Sequence, residues 1–232
     1  LLVQLPELRL LITTGDHNAA FDLEAATELG IVVSGTGAAG EGPTELTWGL
    51  ILGLMRNLPQ EDRRTRQGSW GTTVGAGLKD RRLGLLGLGH IGTRMARVGQ
   101  AFDMKILAWS QNLSARRAAE CGAILVDKES LFRESDIVSI HVRLGDRTRG
   151  LIGASELDLM NPSAYLVNTS RGQIVQEKAL IDALERGTIA GAALDTFDVE
   201  PLPAEHPFLR LPNMILSPHL GYVTQENYRV YY

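Results

Sequence analysis

The 232-residue sequence predicts an α/β protein whose larger part is a doubly wound, mostly parallel sheet. Three observations carry that expectation. Short apolar runs of strand length recur between segments of helical periodicity, and parallel neighbours need such crossovers. Gly87-Leu88-Gly89-His90-Ile91-Gly92 sets a G-x-G-x-x-G spacing directly after one apolar run and at the head of a helical one. Polar residues then gather just past several later runs, and open α/β sheets collect ligands at the carboxyl ends of their strands.

Composition narrows the class. With 44% hydrophobic and 22% charged residues, the chain is an ordinary globular one able to build a sizeable core. A formal net charge of −4 argues against a nucleic-acid footprint, which needs a basic face. A single cysteine, Cys121, excludes an internal disulfide and a cysteine-built zinc site and suits the reducing cytoplasm, where it is expected as a small apolar filler. The longest apolar run, residues 46–55, is too short and interrupted to span a bilayer, and no signal peptide is visible. A cytoplasmic protein with no metal, nucleic-acid or membrane partner is expected. Because the chain opens on Leu1 and stops at Tyr232 without a closing signal, it is expected to be the middle and late part of a longer protein.

Taken in order, residues 9–14 read as a strand followed by a turn over 15–18. Asp22 caps a helix over 23–29 closed by Gly30, and a strand follows at 31–34. This βαβ material precedes the glycine turn, so another unit comes first. A glycine-rich loop at 35–43 leads to a helix over 44–58 that is apolar on most sides and must be buried between lobes or against a partner subunit. Residues 59–68 read as a charged, solvated stretch and 70–79 as a glycine-broken connector. Strands are then expected at 82–86, 105–109, 124–126, 137–141, 164–168, 189–194 and 214–216, with helices at 91–101, 114–121, 128–133, 155–160 and 176–186.

The glycine turn reads as a dinucleotide site. Gly87 permits the tight bend, Gly89 lets backbone approach a pyrophosphate, and Gly92 lets helix and strand pack closely. The helix start adds free N–H groups and the positive end of its dipole.

Three loops carry unusual chemistry. In Val167-Asn168-Thr169-Ser170-Arg171-Gly172 an apolar run ends in small polar residues and one arginine, which is either a fork for a carboxylate beside a carbonyl or a solvated surface cation. Ala193-Leu194-Asp195-Thr196-Phe197-Asp198-Val199-Glu200-Pro201 and Leu216-Ser217-Pro218-His219-Leu220-Gly221 follow two more runs. Of the histidines, His219 alone is fixed between a proline and a glycine at a strand end; His141 reads as a structural, hydrogen-bonded group, and His17, His90 and His206 lie in loop or turn settings. Glu200 bonded to the His219 imidazole would fix its tautomer and favour its protonated form. Reducing a ketone develops charge on oxygen and calls for a cation and a proton donor. Arg171 and His219, with Glu200 behind it, would supply both.

These motifs resemble, in order and spacing, the D-isomer-specific 2-hydroxyacid dehydrogenases, and the resemblance runs through essentially the whole chain. It implies a Rossmann cofactor domain inserted in a smaller, discontinuous, flavodoxin-like substrate domain that is incomplete here. Residues 1–42 would be part of the substrate domain, 43–222 the dinucleotide-binding domain, and 223–232 the start of the return, with the final helix of that return missing. The resemblance implies that Arg171 binds the substrate carboxylate and polarises the carbonyl, that His219 is the acid/base and that Glu200 orients it. It further implies a substrate-carboxylate loop at Thr14-Gly15, and cofactor contacts from Gly87, Gly89, His90, Ile91, Gly92, Thr44, Thr169 and Asp195, the last holding the nicotinamide carboxamide. Members usually form homodimers through the cofactor domain, which would bury the 44–58 helix.

Two departures bear on the cofactor. Relatives preferring NAD end the second cofactor-domain strand in an acid, whereas here it ends Trp109-Ser110-Gln111-Asn112, so the cofactor is expected to be NAD or NADP, with Ser110, Asn112, Arg116 or Arg117 as candidate contacts to a 2′-phosphate. The alternative is that Ser110 and Asn112 cap the next helix. Arg143 stands where relatives commonly carry proline, either serving the 2′-phosphate or solvated. The expected activity is NAD(P)-dependent interconversion of a 2-keto acid and a D-2-hydroxy acid. Two alternatives are an NAD-sensing corepressor of the same family and a formate dehydrogenase relative, the second disfavoured because that branch carries glutamine where Glu200 stands.

Overall fold

A computed structural model of the chain describes residues 1–15, 18, 20–37 and 41–232. Asp16 and His17 of the expected turn, and Ala38 to Gly40 of the glycine-rich loop, lie outside the described residues. The chain divides into two compact units, one of residues 1–42 with 222–232 and one of residues 43–221.

The first unit opens with β1 (Leu10–Thr13), α1 (Leu23–Glu28) and β2 (Val32–Gly35). The two strands pair in parallel, Leu10 opposite Val32. Asp22 caps α1 by accepting the Ala25 N–H at 2.9 Å, and Gly30 takes the left-handed conformation that ends it.

The second unit runs α2 (Gly42–Met55), α3 (Leu58–Arg66), β3 (Arg82–Leu86), α4 (His90–Ala101), β4 (Lys105–Trp109), α5 (Ala115–Glu120), β5 (Ile124–Leu125), α6 (Lys128–Glu134), β6 (Ile137–Ile140), α7 (Ala154–Leu157), β7 (Tyr165–Asn168), α8 (Glu177–Arg186), β8 (Gly191–Leu194) and β9 (Met214–Leu216). Its strands form one parallel sheet in the order β5-β4-β3-β6-β7-β8-β9, the Rossmann arrangement in which strand order reverses beside the glycine-turn strand. The chain then returns to the first unit as α9 (Gln225–Tyr231), capped by Thr224 and tied by an Asn227 Nδ2 to Tyr222 carbonyl bond of 2.8 Å.

The sheet is buried on both faces, which is why its strands read as continuous apolar runs. Leu83 and Leu85 join α2, α4 and α5 on one face, while Leu86 joins α6, α7 and α8 on the other. Each fully buried leucine or isoleucine there is worth about 1.5–3 kcal/mol over its exposed state. The last residues of six strands stand in register as one row: Trp109, Leu86, Ile140, Asn168, Leu194 and Leu216. Every loop that follows therefore leaves from the same edge.

The structure sharpens or corrects three expectations. Residues 58–66, expected only as a charged, solvated stretch, are solvated and also helical: Pro59 sits in the first turn, Glu61 follows, and Arg63, Arg64 and Arg66 fill the last turn, so the fixed φ of Pro59 and charges matched to the dipole favour the helix without a buried residue or a side-chain cap. A helix with no apolar stripe gives no periodic signal to read. The α2 helix finds its burial inside its own unit, since Trp48, Ile51, Leu54 and Met55 pack on the core that also holds Leu83 and Met95, and Trp48 meets Phe102 at a ring separation of 5.2 Å. The expected helix over 155–160 is a single turn, α7.

Candidate active site

The glycine turn passes a stereochemical test for a dinucleotide. Gly87 has φ of +102°, and a methyl added there would meet the His141 carbonyl oxygen at 2.6 Å, so the bend admits no other residue without strain. A methyl at Gly92 would overlap the Gly87 carbonyl, which is the close approach of helix to turn that this position demands. Gly89 is different: a methyl there would meet nothing within 4 Å, leaving open space over the backbone where a phosphate can approach. Gly89 is also the N-cap of α4 and brings no side-chain cap, so the amides opening at His90 and Ile91 face that space without a side-chain acceptor.

Beyond the end of β4 lies an open pocket of about 600 Å³ lined by Trp109, Ser110, Gln111, Val126 and Asp127 among others. Ser110 is half-buried and Asn112 exposed. Neither caps α5: Ser114 does so, accepting the Arg117 N–H at 3.2 Å. Arg117 reaches Thr93 Oγ1 in the first turns of α4 at 3.2 Å, and Arg116 pairs with Glu120 at 3.0 Å. Arg143 is exposed.

At the other end of the row, β7 ends in a buried Asn168 whose carboxamide shapes the turn. Its Oδ1 accepts the Ser170 N–H at 3.0 Å and its Nδ2 donates to the Arg171 carbonyl at 2.9 Å. Ser170 Oγ donates to the Val142 carbonyl, and Arg171 Nη1 donates to the Ser170 carbonyl at 2.6 Å. The arginine is thus exposed at the lip of an ordered turn, not free on a mobile one.

The neighbouring loops converge. Glu200 Oε2 and His219 Nδ1 are 2.7 Å apart, both about one-third exposed, and Glu200 Oε1 accepts the Phe197 N–H at 2.9 Å. Burial would push the Glu200 carboxyl up, but the bonds from His219 and Phe197, with the charges of His219 and Arg171, outweigh it and hold the group below its ordinary value of 4.5. His219 itself adopts φ of +56°, a left-handed conformation uncommon for histidine. The buried Asp195 carboxylate keeps that loop in place, accepting the Leu220 N–H on one oxygen at 2.8 Å and the Gly221 N–H on the other at 2.9 Å.

Other expected residues are placed as follows. Thr44 is buried in the first turn of α2 and its hydroxyl meets no protein partner, while its neighbour Pro43 lies against Gly221. Thr169 Oγ1 is 2.8 Å from Thr47 Oγ1. Thr14 and Gly15 belong to the first unit, where the Gly15 N–H donates to Thr36 Oγ1 at 3.1 Å. His141 is structural: it bonds Ser139 Oγ at 2.8 Å, and burial pushes its ring down to about 3. His206 caps a 3₁₀ turn and meets Glu177 at 3.0 Å. Half-buried Cys121 packs at the edge of the core. Residues passed over in the sequence are Asn168, Thr47 and the Phe197 amide; the first had a legible signal, an asparagine two residues before a serine at the end of an apolar run.

Residues 48–221 match the D-isomer specific 2-hydroxyacid dehydrogenase family, NAD binding domain. The chain is 43% identical to the glyoxylate reductase of Aeropyrum pernix, across 97% of this chain and 70% of that protein. It is 39% identical to the glyoxylate reductase of Thermococcus litoralis, across 97% and 71%. Among solved structures, phosphoglycerate oxidoreductase from Vibrio cholerae O395 superposes with a TM-score of 0.93 at 37% identity, over 99% of this chain and 75% of that one. A match that spans three quarters of the chain, on the same residues that build the glycine turn and the three polar loops, places this chain in the D-isomer-specific 2-hydroxyacid dehydrogenase family.

Proposed function

We propose that the chain acts as an NAD(P)-dependent D-2-hydroxyacid dehydrogenase, interconverting a 2-keto acid and the corresponding D-2-hydroxy acid. The observation that carries this reading is the row of strand ends in register, from which the glycine turn, the Arg171 turn, the Glu200 loop and the His219 loop all depart. Gly87, Gly89, His90, Ile91 and Gly92 would hold the pyrophosphate, Ser110 and Asn112 the adenosine, and Thr44, Thr169 and Asp195 the nicotinamide side. Bound NAD(P)H supplies the hydride.

The chain's own residues account for the rest. Arg171 grips the substrate carboxylate as a planar fork and offsets the charge that grows on the neighbouring carbonyl oxygen. His219 gives that oxygen a proton from Nε2 during reduction and takes it back during oxidation. Glu200, ionised at neutral pH, holds Nδ1 and so fixes which ring nitrogen faces the substrate. The same reading carries a homodimer formed through the cofactor unit and a cytoplasmic location; among the described residues no helix is long and apolar enough to cross a membrane.

The test is steady-state oxidation of NADH and NADPH with glyoxylate, hydroxypyruvate, pyruvate and branched 2-keto acids. Glyoxylate leads the panel because two similar proteins are named glyoxylate reductases. Turnover with at least one substrate is expected. Cofactor binding without turnover of any would replace the enzyme by a nucleotide-sensing binding protein.

A further inference from the structure

Gly172 follows the arginine directly, and the backbone of a segment distant in sequence packs against it. A methyl group added at Gly172 would stand 2.5 Å from the Phe197 carbonyl oxygen and 2.6 Å from the Asp198 amide nitrogen, with the Phe197 carbonyl carbon closer still. All three are backbone atoms, so no side chain can swing aside. One residue on, Gln173 Nε2 donates to the Asp198 carbonyl at 3.1 Å. The 3₁₀ turn over Gly172–Ile174 is therefore seamed to the chain at Phe197–Asp198 by a backbone contact and a hydrogen bond.

What that seam holds is the acid/base pair. The Phe197 N–H, on the same residue whose carbonyl abuts Gly172, bonds Glu200 Oε1 at 2.9 Å, and Glu200 Oε2 meets His219 Nδ1 at 2.7 Å. Resting on the dehydrogenase reading above, we propose that Gly172 is a positioning residue: its missing side chain lets the arginine turn and the Glu200 loop close on each other, and so sets Glu200 against His219. Among the described residues, the charges that bear on the Glu200 carboxyl are those of His219 and Arg171. A side chain at 172 would lift Phe197, loosen its amide from Glu200 and draw the carboxylate off Nδ1 of the ring.

The experiment follows the His219 ring-nitrogen resonances by NMR at one fixed pH in the wild type, Gly172→Ala, Gln173→Ala and, as the reference for a lost carboxylate, Glu200→Gln, alongside kcat and the NADH Kd. Gly172→Ala is expected to move those resonances toward their positions in Glu200→Gln and to lower kcat by about 10²-fold, the scale of an ångström-sized misplacement, with the NADH Kd essentially unchanged. Wild-type resonances in folded Gly172→Ala overturn the proposal, because a glycine needed only for packing would lower Tm and leave the ring alone. If Gly172→Ala does not fold, Gln173→Ala decides: a smaller shift in the same direction supports the seam, and no shift overturns it. Should the wild type turn over no 2-keto acid, the dehydrogenase reading fails while the ring spectra still judge the seam.

Discussion

His219 is held from three sides: Glu200 on its ring, Asp195 on the two amides that follow it, and its own left-handed backbone. Removing the imidazole gives up the Glu200 contact but leaves the Asp195 bonds that hold the loop, so His219→Ala should lower kcat by roughly 10²–10⁴-fold, the usual worth of a general acid, while an NADH titration returns the wild-type affinity. If the adenosine binds as proposed, a carboxylate at position 110 would repel a 2′-phosphate, and Ser110→Asp should raise the NADH-to-NADPH ratio of kcat/KM; an unchanged ratio would show that this strand end does not choose the cofactor. His141 gives a pH dependence. Its ring is pushed by burial from 6.5 to about 3, so the fold keeps it neutral while the unfolded chain protonates it. That contribution to stability is complete above 6.5 and is lost as pH falls from there toward 3. Scanning calorimetry at pH 7 and pH 5 should find a smaller drop in Tm for His141→Gln than for wild type. At this scale the contact of Glu200 with His219 was legible in the sequence, because polar side chains at the ends of apolar runs stand out. Not legible were the contact of Gly172 with Phe197, which is fixed only by folding, and the bonds of Asp195 to the His219 loop.

Among the elements, the strands were far easier to read than the surface helices. The seven runs of the main sheet fall within two residues of their expected bounds because burial on both faces leaves an uninterrupted apolar signature. The α3 helix escaped notice, and with it the order of the connector that follows. Glu61 on α3 accepts the Thr72 hydroxyl at 2.7 Å and the Thr72 amide at 3.2 Å, and bonds from the Thr72 and Thr73 hydroxyls and the Thr72 amide bring its carboxyl down to about 2. The tether is complete above the carboxyl's ordinary value of 4.5 and lost only as pH falls through about 2. Trp70 and Val74 nonetheless stand exposed on this connector. Glu61→Ala should therefore make residues 69–77 the first site of limited proteolysis at neutral pH, whereas the wild type should resist cleavage there; equal cleavage rates would show that the tether does not order the segment.

For the molecule as a whole, a larger α/β unit preceded by a smaller one was legible beforehand, since the glycine turn arrives only after βαβ material. The location of α2 was misjudged because an all-round apolar helix does not say which core receives it; here it is the sheet of its own unit. The proposed dimer thus has to form on surface left after α2 is covered, and light scattering after gel filtration should give twice the 25.3 kDa chain mass, with a monomer mass removing the dimer from the proposal. The row of strand ends has one more consequence. Since the reactive loops all hang from one rim of the sheet, the turns at the opposite rim are where attachment chemistry belongs: Asp103 and Gly187, exposed and left-handed just ahead of β4 and β8, are anchor points for coupling the protein to an electrode or resin with its crevice facing outward.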